Sequence, residues 1–221
     1  MNLEVTAVER RDRFYTEFYK NGGWSYEYQK EMTFFQKYFK DKLKLQEGAK
    51  ILELGCGLGY QAYVLADMGF EVVAIDTNEQ AIIEANKLQS KARYICDSAD
   101  NIGNYCSEST FDMIYVRGMS WYHYELDQFS ENTGVDVREK TAHFFKFLKS
   151  SGLFFLQIAT DFSGLIKNHV RYNKLTAYQN LFEKHGEIVY LSNWSDVTLK
   201  SQEQAERVGN NILIATQKPS L

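Results

Sequence analysis

Residues 50–59 read KILELGCGLG, and this stretch decides the fold. The apolar run 50–54 predicts a short buried strand. Glycines at positions 55, 57 and 59 follow it and permit a tight turn with a close approach of backbone to ligand. Backbone amides in such a turn, together with the start of the next helix, favour an anionic group. The stretch therefore predicts a strand, a ligand-binding turn and a helix in succession.

Outward from this stretch, apolar periodicity predicts alternating helices and strands. Helices are predicted at residues 12–20, 27–45, 60–68, 77–89, 136–149 and 175–185. Further strands are predicted at residues 70–75, 92–96, 111–116, 153–159, 187–194 and 211–217. This alternation indicates a mostly parallel sheet with helices on both faces. Only a charged stretch, 200–207, separates the last two strands, so they are free to pair antiparallel at one edge.

Residue types at helix ends support these boundaries. Gly69 and Gly186 follow predicted helices, where glycine commonly forms the C-terminal cap. Thr77 and Gln80 have the spacing of a capping box, in which Thr77 caps the helix and Gln80 reaches back.

Composition excludes several functions. The chain has 221 residues, which suits a single α/β domain. Its net charge of −4 and the lack of a Lys/Arg run argue against nucleic acid as a partner. The longest apolar run, 153–159, covers about a third of a membrane span, so we expect no membrane partner. Three cysteines without metal-ligand spacing predict reduced thiols in a cytoplasmic protein and no metal.

Acidic residues stand at the ends of the first three strands. Glu53 lies two residues before the first glycine, where it suits an ammonium or cationic centre better than a pyrophosphate. Asp76 ends the second strand, where a carboxylate accepts hydrogen bonds from ribose hydroxyls. Asp97 follows the third strand and can accept from an adenine amine. A dinucleotide fingerprint would need glycine at position 60, which is Tyr60. The pattern predicts a ligand with an adenosine and an amino-acid tail.

The segments ILELGCGLG, VVAIDTN, CDSAD and FDMIYVRG resemble, in order and spacing, the class I S-adenosylmethionine-dependent methyltransferases. The resemblance covers roughly residues 50–217. It implies a Rossmann-like, seven-stranded, mostly parallel sheet with an antiparallel last strand. We expect a single domain, with residues 1–45 as an N-terminal helical cover and 46–221 as the Rossmann-like core.

The resemblance also implies S-adenosylmethionine as the cofactor, with S-adenosylhomocysteine as its product. It places Gly55, Cys56 and Gly57 along the methionine part, Asp76 at the ribose, and Asp97 with Ser98 around the adenine. The other candidate cofactor-binding residues are Glu53, Thr77 and Arg117, with Tyr15, Trp24 and Tyr26 from the N-terminal cover.

Acceptor-side groups in this family typically follow the fourth and fifth strands. His123 is the first candidate general base, because an imidazole titrates near neutral pH, and His169 is the second. Arg117 suits an anionic group of the acceptor as well as the cofactor tail. The aromatic side chains of Trp121, Tyr122 and Tyr124 are candidates for an acceptor wall, with core packing as the alternative. His143 and His185 are expected to be structural.

The sequence thus predicts methylation of a small molecule, with a hydroxyl on a metabolite or sugar-type acceptor as the first expectation. N-methylation of a small amine remains open, as does a non-catalytic S-adenosylmethionine-binding protein. An NAD-dependent oxidoreductase is disfavoured by Tyr60. We expect a monomer or a homodimer.

Overall fold

The computed structural model describes residues 26–131, 134–160, 162, 173–208 and 211–220. These residues fall into two compact units. The first contains residues 26–49 and 56–99, and the second contains residues 50–55 with the described residues from 100 onward. Each unit is described separately below.

The predicted sheet is confirmed. The strands are β1 (Lys50–Leu54), β2 (Glu71–Asp76), β3 (Arg93–Cys96), β4 (Phe111–Arg117), β5 (Leu148–Ala159), β6 (Glu187–Ser192) and β7 (Asn211–Gln217). They form a seven-stranded sheet in the order β3-β2-β1-β4-β5-β7-β6. β2 pairs parallel with β3, and β4 pairs parallel with both β1 and β5. β7 runs antiparallel to β5 and β6, so the last strand has the expected direction.

In its described part, the first unit begins with an α-helix that continues as a π-helix. Helix α1 (Tyr28–Phe35) continues as a π-helix over Gln36–Lys42. The wider turn is visible where the Leu43 amide donates to the carbonyl of Tyr38, five residues earlier, at 3.0 Å. Phe35 and Phe39 are fully buried, so one side of this helix faces the core. The helix predicted at 12–20 lies outside the described residues.

Two short helices connect the strands of this unit. Helix α2 (Tyr60–Asp67) follows the glycine turn, and α3 (Glu79–Ala85) follows β2 and ends in a 3₁₀ turn over Asn86–Leu88. Gly69 has a φ of 90° just after α2, which confirms it as the residue that ends this helix.

The second unit has its core on the central strands. Side chains of β4, β5 and β7 with no exposed surface include Met113, Ile114, Phe154, Phe155, Ile212 and Leu213. Helices α4 (Val137–Phe145), α5 (Leu175–Glu183) and α6 (Gln202–Val208) complete the unit. The charged stretch between the last two strands therefore contains a short helix, which the sequence pattern did not predict.

The predicted cap at Gly186 is wrong. Gly186 lacks the left-handed backbone of a helix-capping glycine, and it stands instead where β6 meets the end of β7. A Cβ at this position would lie 1.9 Å from the carbonyl oxygen of Gln217, so glycine is required by close backbone approach.

Among the described residues, no helix has the length and apolar character needed to cross a membrane. The same residues contain no group of three or more His, Cys, Asp or Glu side chains that could hold a metal ion.

Candidate cofactor and acceptor sites

The glycine turn has a backbone that only glycine adopts readily. Gly55, Gly57 and Gly59 have φ values of 74°, 51° and 74°. At Gly59 space is also lacking: a Cβ would lie 2.5 Å from the Tyr94 ring and 2.7 Å from the Cβ of Ala85. The Tyr94 hydroxyl donates to the Gly59 carbonyl at 3.0 Å. Tyr94 thus packs under the turn and ties it to β3, a role that the sequence analysis missed.

Asp76 connects the end of β2 to this turn. One carboxylate oxygen accepts the Gly57 amide and the other accepts the Asn78 amide, each at 2.8 Å. Each carboxylate oxygen has two lone pairs, so backbone amides fix the carboxylate while acceptor capacity remains for a pair of hydroxyls. This donor and acceptor set fits the ribose of the cofactor that the sequence predicts.

The end of β3 lies beside Asp76. In the parallel register Cys96 is opposite Asp76, and the Asp97 amide donates to the Asp76 carbonyl at 3.0 Å. The Asp97 carboxylate accepts the amide of Ser98 at 2.6 Å, and both residues are half-buried. The first unit therefore brings the predicted ribose and adenine residues together. Cys56 joins them, because its amide donates to the Ile75 carbonyl at 3.2 Å.

The predicted capping box at Thr77 is wrong. The helix α3 is capped by Asn78, whose side-chain oxygen accepts the Ala81 amide at 3.0 Å. Gln80 donates to Glu84 instead of reaching back. Asn is as good a cap as Thr, and Asn78 is held in place because its own amide donates to Asp76. Thr77 is exposed, and its place in the cofactor site stays a prediction.

An aromatic pair stands at the start of α2. Tyr26 stacks on Tyr60 with ring centroids 4.2 Å apart and planes 13° apart. The Tyr26 hydroxyl is buried without a hydrogen-bond partner in the described part of the chain. Burial, with a smaller contribution from Tyr63 and other neighbours, raises the pKa of Tyr26 to about 12, so the phenol stays protonated. Tyr26 therefore retains a donor for a ligand. Tyr15 and Trp24 lie outside the described residues.

In the second unit, two charged side chains stand near strand ends. Glu53 is a charged residue in an apolar strand. It is only 2% exposed, and its neighbours Leu52 and Leu54 are fully buried. A buried carboxylate is costly unless a donor or cation compensates it. Arg117, at the end of β4, is half-buried. The roles assigned to both residues stay predictions.

The segment after β4 forms a 3₁₀ turn over Ser120–His123. His123 is half-buried, and its Nδ1 atom is buried with no hydrogen-bond partner among the described residues. Burial lowers the pKa of His123 to about 4. The imidazole is therefore neutral at pH 7. It can accept or donate a hydrogen bond, but it is a weak base for removing a proton from a hydroxyl.

The structure corrects the prediction for Tyr122, which belongs to the core. Its side chain is fully buried, its ring contacts Phe154 and Phe182, and its hydroxyl is 3.1 Å from the Thr141 hydroxyl. Burial raises the pKa of Tyr122. A fully buried ring cannot form a wall for an acceptor, and the alternative of core packing is the one realised.

Trp121 and Tyr124 are half-buried and remain candidates for acceptor contacts. The Trp121 ring stacks on Phe144 at a centroid distance of 6.1 Å, and the Lys140 ammonium lies 5.1 Å from its centroid. Lys140 also pairs with Asp100 at 2.6 Å. These contacts fix the indole in place.

Two of the remaining histidines, His143 and His185, have packing contacts. His143 contacts the rings of Phe144 and Phe147, and His185 stacks on Phe145 at 4.7 Å. Burial, with the charge of Lys184 as a smaller cause, lowers the pKa of His185. His169 lies outside the described residues.

Comparison with known proteins supports this description. A family model described as a methyltransferase domain matches residues 51–143. Protein-L-isoaspartate O-methyltransferase 1 of Syntrophobacter fumaroxidans is 40% identical over 77 residues, which are 34% of this chain and 36% of that protein. Phosphoethanolamine N-methyltransferase 1 of Triticum aestivum is 29% identical over 158 residues, 69% of this chain and 27% of that protein. The chain spans less than half the length of these curated relatives.

Solved structures share the fold. A TehB-like SAM-dependent methyltransferase from Corynebacterium glutamicum aligns with a TM-score of 0.64 and 20% identity, covering 96% of this chain and 99% of that one. Phosphoethanolamine N-methyltransferase 2 of Haemonchus contortus, in complex with S-adenosyl-L-methionine, aligns with a TM-score of 0.62 and 13% identity, covering 85% of this chain and 53% of that one. At these identities the likeness concerns the fold alone.

Proposed function

Because residues 51–143 match a methyltransferase domain and the fold is shared with SAM-dependent methyltransferases, we propose that the chain is a class I S-adenosylmethionine-dependent methyltransferase that transfers the methyl group to a small-molecule acceptor. The observation that carries the proposal is the carboxylate of Asp76, held by the amides of Gly57 and Asn78 at the glycine turn. A carboxylate fixed in this way is prepared to accept both hydroxyls of a ribose.

The other binding roles follow from chemistry and position along the chain. Gly55, Cys56 and Gly57 line the methionine part, and the carboxylate of Glu53 compensates its ammonium group. Asp97 with Ser98 frames the adenine. The buried phenol of Tyr26 supplies an additional donor to the cofactor. The cofactor, when bound, supplies an electrophilic methyl group on a sulfonium.

Calorimetry with S-adenosylhomocysteine tests the binding half of the proposal. Asp76→Ala removes the ribose acceptor, so we expect the Kd to rise at least about tenfold, equivalent to about 1.4 kcal/mol. Glu71→Ala, at the exposed opposite end of the same strand, is the control and should leave the Kd unchanged. A folded wild-type protein that binds neither S-adenosylmethionine nor S-adenosylhomocysteine would refute the proposal.

The acceptor atom is the finer part of the proposal. A hydroxyl acceptor needs a base, and His123 was predicted to be that base. With a pKa of about 4, His123 offers an accepting nitrogen but little driving force for proton removal. N-methylation of a small amine is therefore a second candidate, because a neutral amine attacks without a strong base. The relative that aligns over 158 residues is named an N-methyltransferase, which points the same way.

A labelled-donor assay over an acceptor panel distinguishes these candidates. The panel contains sugar-type hydroxyl compounds, small amines and a peptide with a carboxylate acceptor, because one relative is named a protein O-methyltransferase. With a hydroxyl acceptor, His123→Ala should lower kcat by about 10²-fold or more. With an amine the loss should stay below about tenfold, and His143→Gln is the control that removes a packed histidine of the same unit. Tight cofactor binding without turnover on any acceptor would favour the non-catalytic alternative.

A further inference from the structure

The backbone on both sides of His123 is held by side chains from one other segment of the second unit. The Tyr178 hydroxyl donates to the Tyr122 carbonyl at 3.3 Å. The side-chain amide of Asn173 donates to the Tyr124 carbonyl at 3.1 Å. Tyr178 lies in α5 and Asn173 lies just before it. The carbonyls of the two residues on either side of His123 are thus bonded to one segment, residues 173–178.

Both donors are themselves well fixed. Tyr178 is fully buried and Asn173 is 8% exposed. The Tyr178 oxygen is 3.2 Å from the hydroxyl of Thr160, which is also fully buried. Burial raises the pKa of Tyr178 to about 12, which keeps the phenol a donor at every pH of interest.

Packing restricts the same element further. Phe162 contacts the Tyr178 ring edge to face at a centroid distance of 6.4 Å. Gln202 in α6 accepts the Leu175 amide at 2.7 Å and donates to the Phe162 carbonyl at 3.3 Å. The start of α5 is therefore held by packing and hydrogen bonds, and Tyr178 and Asn173 connect this segment to the turn that carries His123.

We propose that Tyr178 and Asn173 are positioning residues that hold the main chain on either side of His123 and so aim its imidazole at the methyl acceptor. The proposal rests on the proposed function, in which the imidazole contacts the acceptor. Catalytic groups lose effectiveness when they move by as little as about 1 Å. Loss of either hydrogen bond at the flanking carbonyls is therefore expected to lower kcat. In this proposal neither Tyr178 nor Asn173 contacts the acceptor or the cofactor.

The test uses readouts that need no acceptor. Tyr178→Phe keeps the ring and removes the hydroxyl, and Asn173→Ala removes the other donor. Each should raise amide hydrogen exchange at residues 120–124 about fivefold, the effect of about 1 kcal/mol per lost hydrogen bond. Each should also raise the rate at which diethyl pyrocarbonate modifies His123, with His185 as the internal reference. Tyr190→Phe is the control, because it removes a hydroxyl bonded to Asp196 and Ser192 in β6 and its loop.

The outcomes separate positioning from general stability and from the proposed function. Exchange that rises only at residues 120–124, with the Kd of S-adenosylhomocysteine changed by less than about twofold and kcat lowered about tenfold, supports positioning. Unchanged exchange and unchanged His123 modification in both variants would overturn it, as would equal increases across the whole unit. If the wild type lacks turnover on every acceptor, the proposed function fails, while exchange and modification still decide whether the two residues hold the turn.

Discussion

At the scale of the residue, His123 is the side chain whose surroundings change its chemistry most clearly. Its Nδ1 atom is buried without a partner among the described residues, and burial lowers the pKa to about 4. Burial removes water from the charged form, and among the described residues no hydrogen bond to Nδ1 replaces that hydration. A histidine of this kind is suited to orienting an acceptor by a hydrogen bond at neutral pH, and less to removing a proton from an alcohol.

The lowered pKa of His123 predicts that the free energy of unfolding decreases at acidic pH. Its pKa falls from 6.5 in the unfolded chain to about 4 in the folded one, so the unfolded state binds more protons between these values. The contribution of His123 to the free energy of unfolding should be fully present above about pH 6.5. It should fall by about 2 to 3 kcal/mol as the pH is lowered towards 4. His123→Leu should remove that part of the decline in urea unfolding at pH 7, 6, 5 and 4. Parallel pH dependences of wild type and variant would contradict the prediction; His185, whose pKa is also lowered, contributes equally to both curves.

At the scale of the element, the structure assigns the start of α3 to a residue one position later than the sequence pattern indicated. Asn78 accepts the Ala81 amide through its side chain, and its own amide donates to Asp76. The same residue therefore both caps the helix and orients the carboxylate of the proposed ribose site. A change in the cap is expected to affect stability first and cofactor binding second.

Paired alanine variants measure this cap. Asn78→Ala should lower the free energy of unfolding by about 1 kcal/mol, because the Ala81 amide loses its side-chain acceptor. Thr77→Ala, at the exposed position that the capping box would have used, should cost less than about 0.5 kcal/mol. Equal losses in chemical denaturation, or a larger loss for Thr77→Ala, would show that the cap is assigned to the wrong residue.

The junction of β6 and β7 gives a second prediction for an element. A Cβ at Gly186 would lie 1.9 Å from the Gln217 carbonyl oxygen, so Gly186→Ala must displace the first paired residues, Glu187 and Gln217. We expect a loss of about 3 kcal/mol or more. Gly48→Ala is the control: Gly48 has a φ of 75° but nothing within 4 Å of the added atom, so only backbone strain of about 1 to 2 kcal/mol applies. Similar losses in the two variants would contradict the close-contact explanation.

At the scale of the whole molecule, a ligand that binds only the folded chain must raise its stability. At a concentration of 100 times its Kd, S-adenosylhomocysteine should add about 2.7 kcal/mol. For a chain of 221 residues this corresponds to a rise in Tm of about 5 to 10 °C. The measurement is a thermal melt, with NAD at the same concentration as the control ligand. A shift with NAD and none with S-adenosylhomocysteine would revive the dinucleotide interpretation that Tyr60 disfavours.

The sequence by itself determined the elements that depend on local pattern. The strand 50–54, the glycines after it and the acids at the ends of β2 and β3 could all be read from their order, because a strand, a left-handed turn and a strand end each have short-range signatures. The antiparallel last strand was also predicted, since no long helix separates it from β6.

Only the tertiary structure decided which side chains are buried and which distant groups meet. No local sequence pattern distinguishes Tyr122 from Tyr124, yet Tyr122 is fully buried and Tyr124 is half-buried. Tyr178 lies 56 residues from Tyr122, and no local pattern indicates that its hydroxyl reaches that carbonyl. Burial and hydrogen bonds between distant segments depend on how the whole chain packs, and these in turn set the pKa of His123 and the support of its turn.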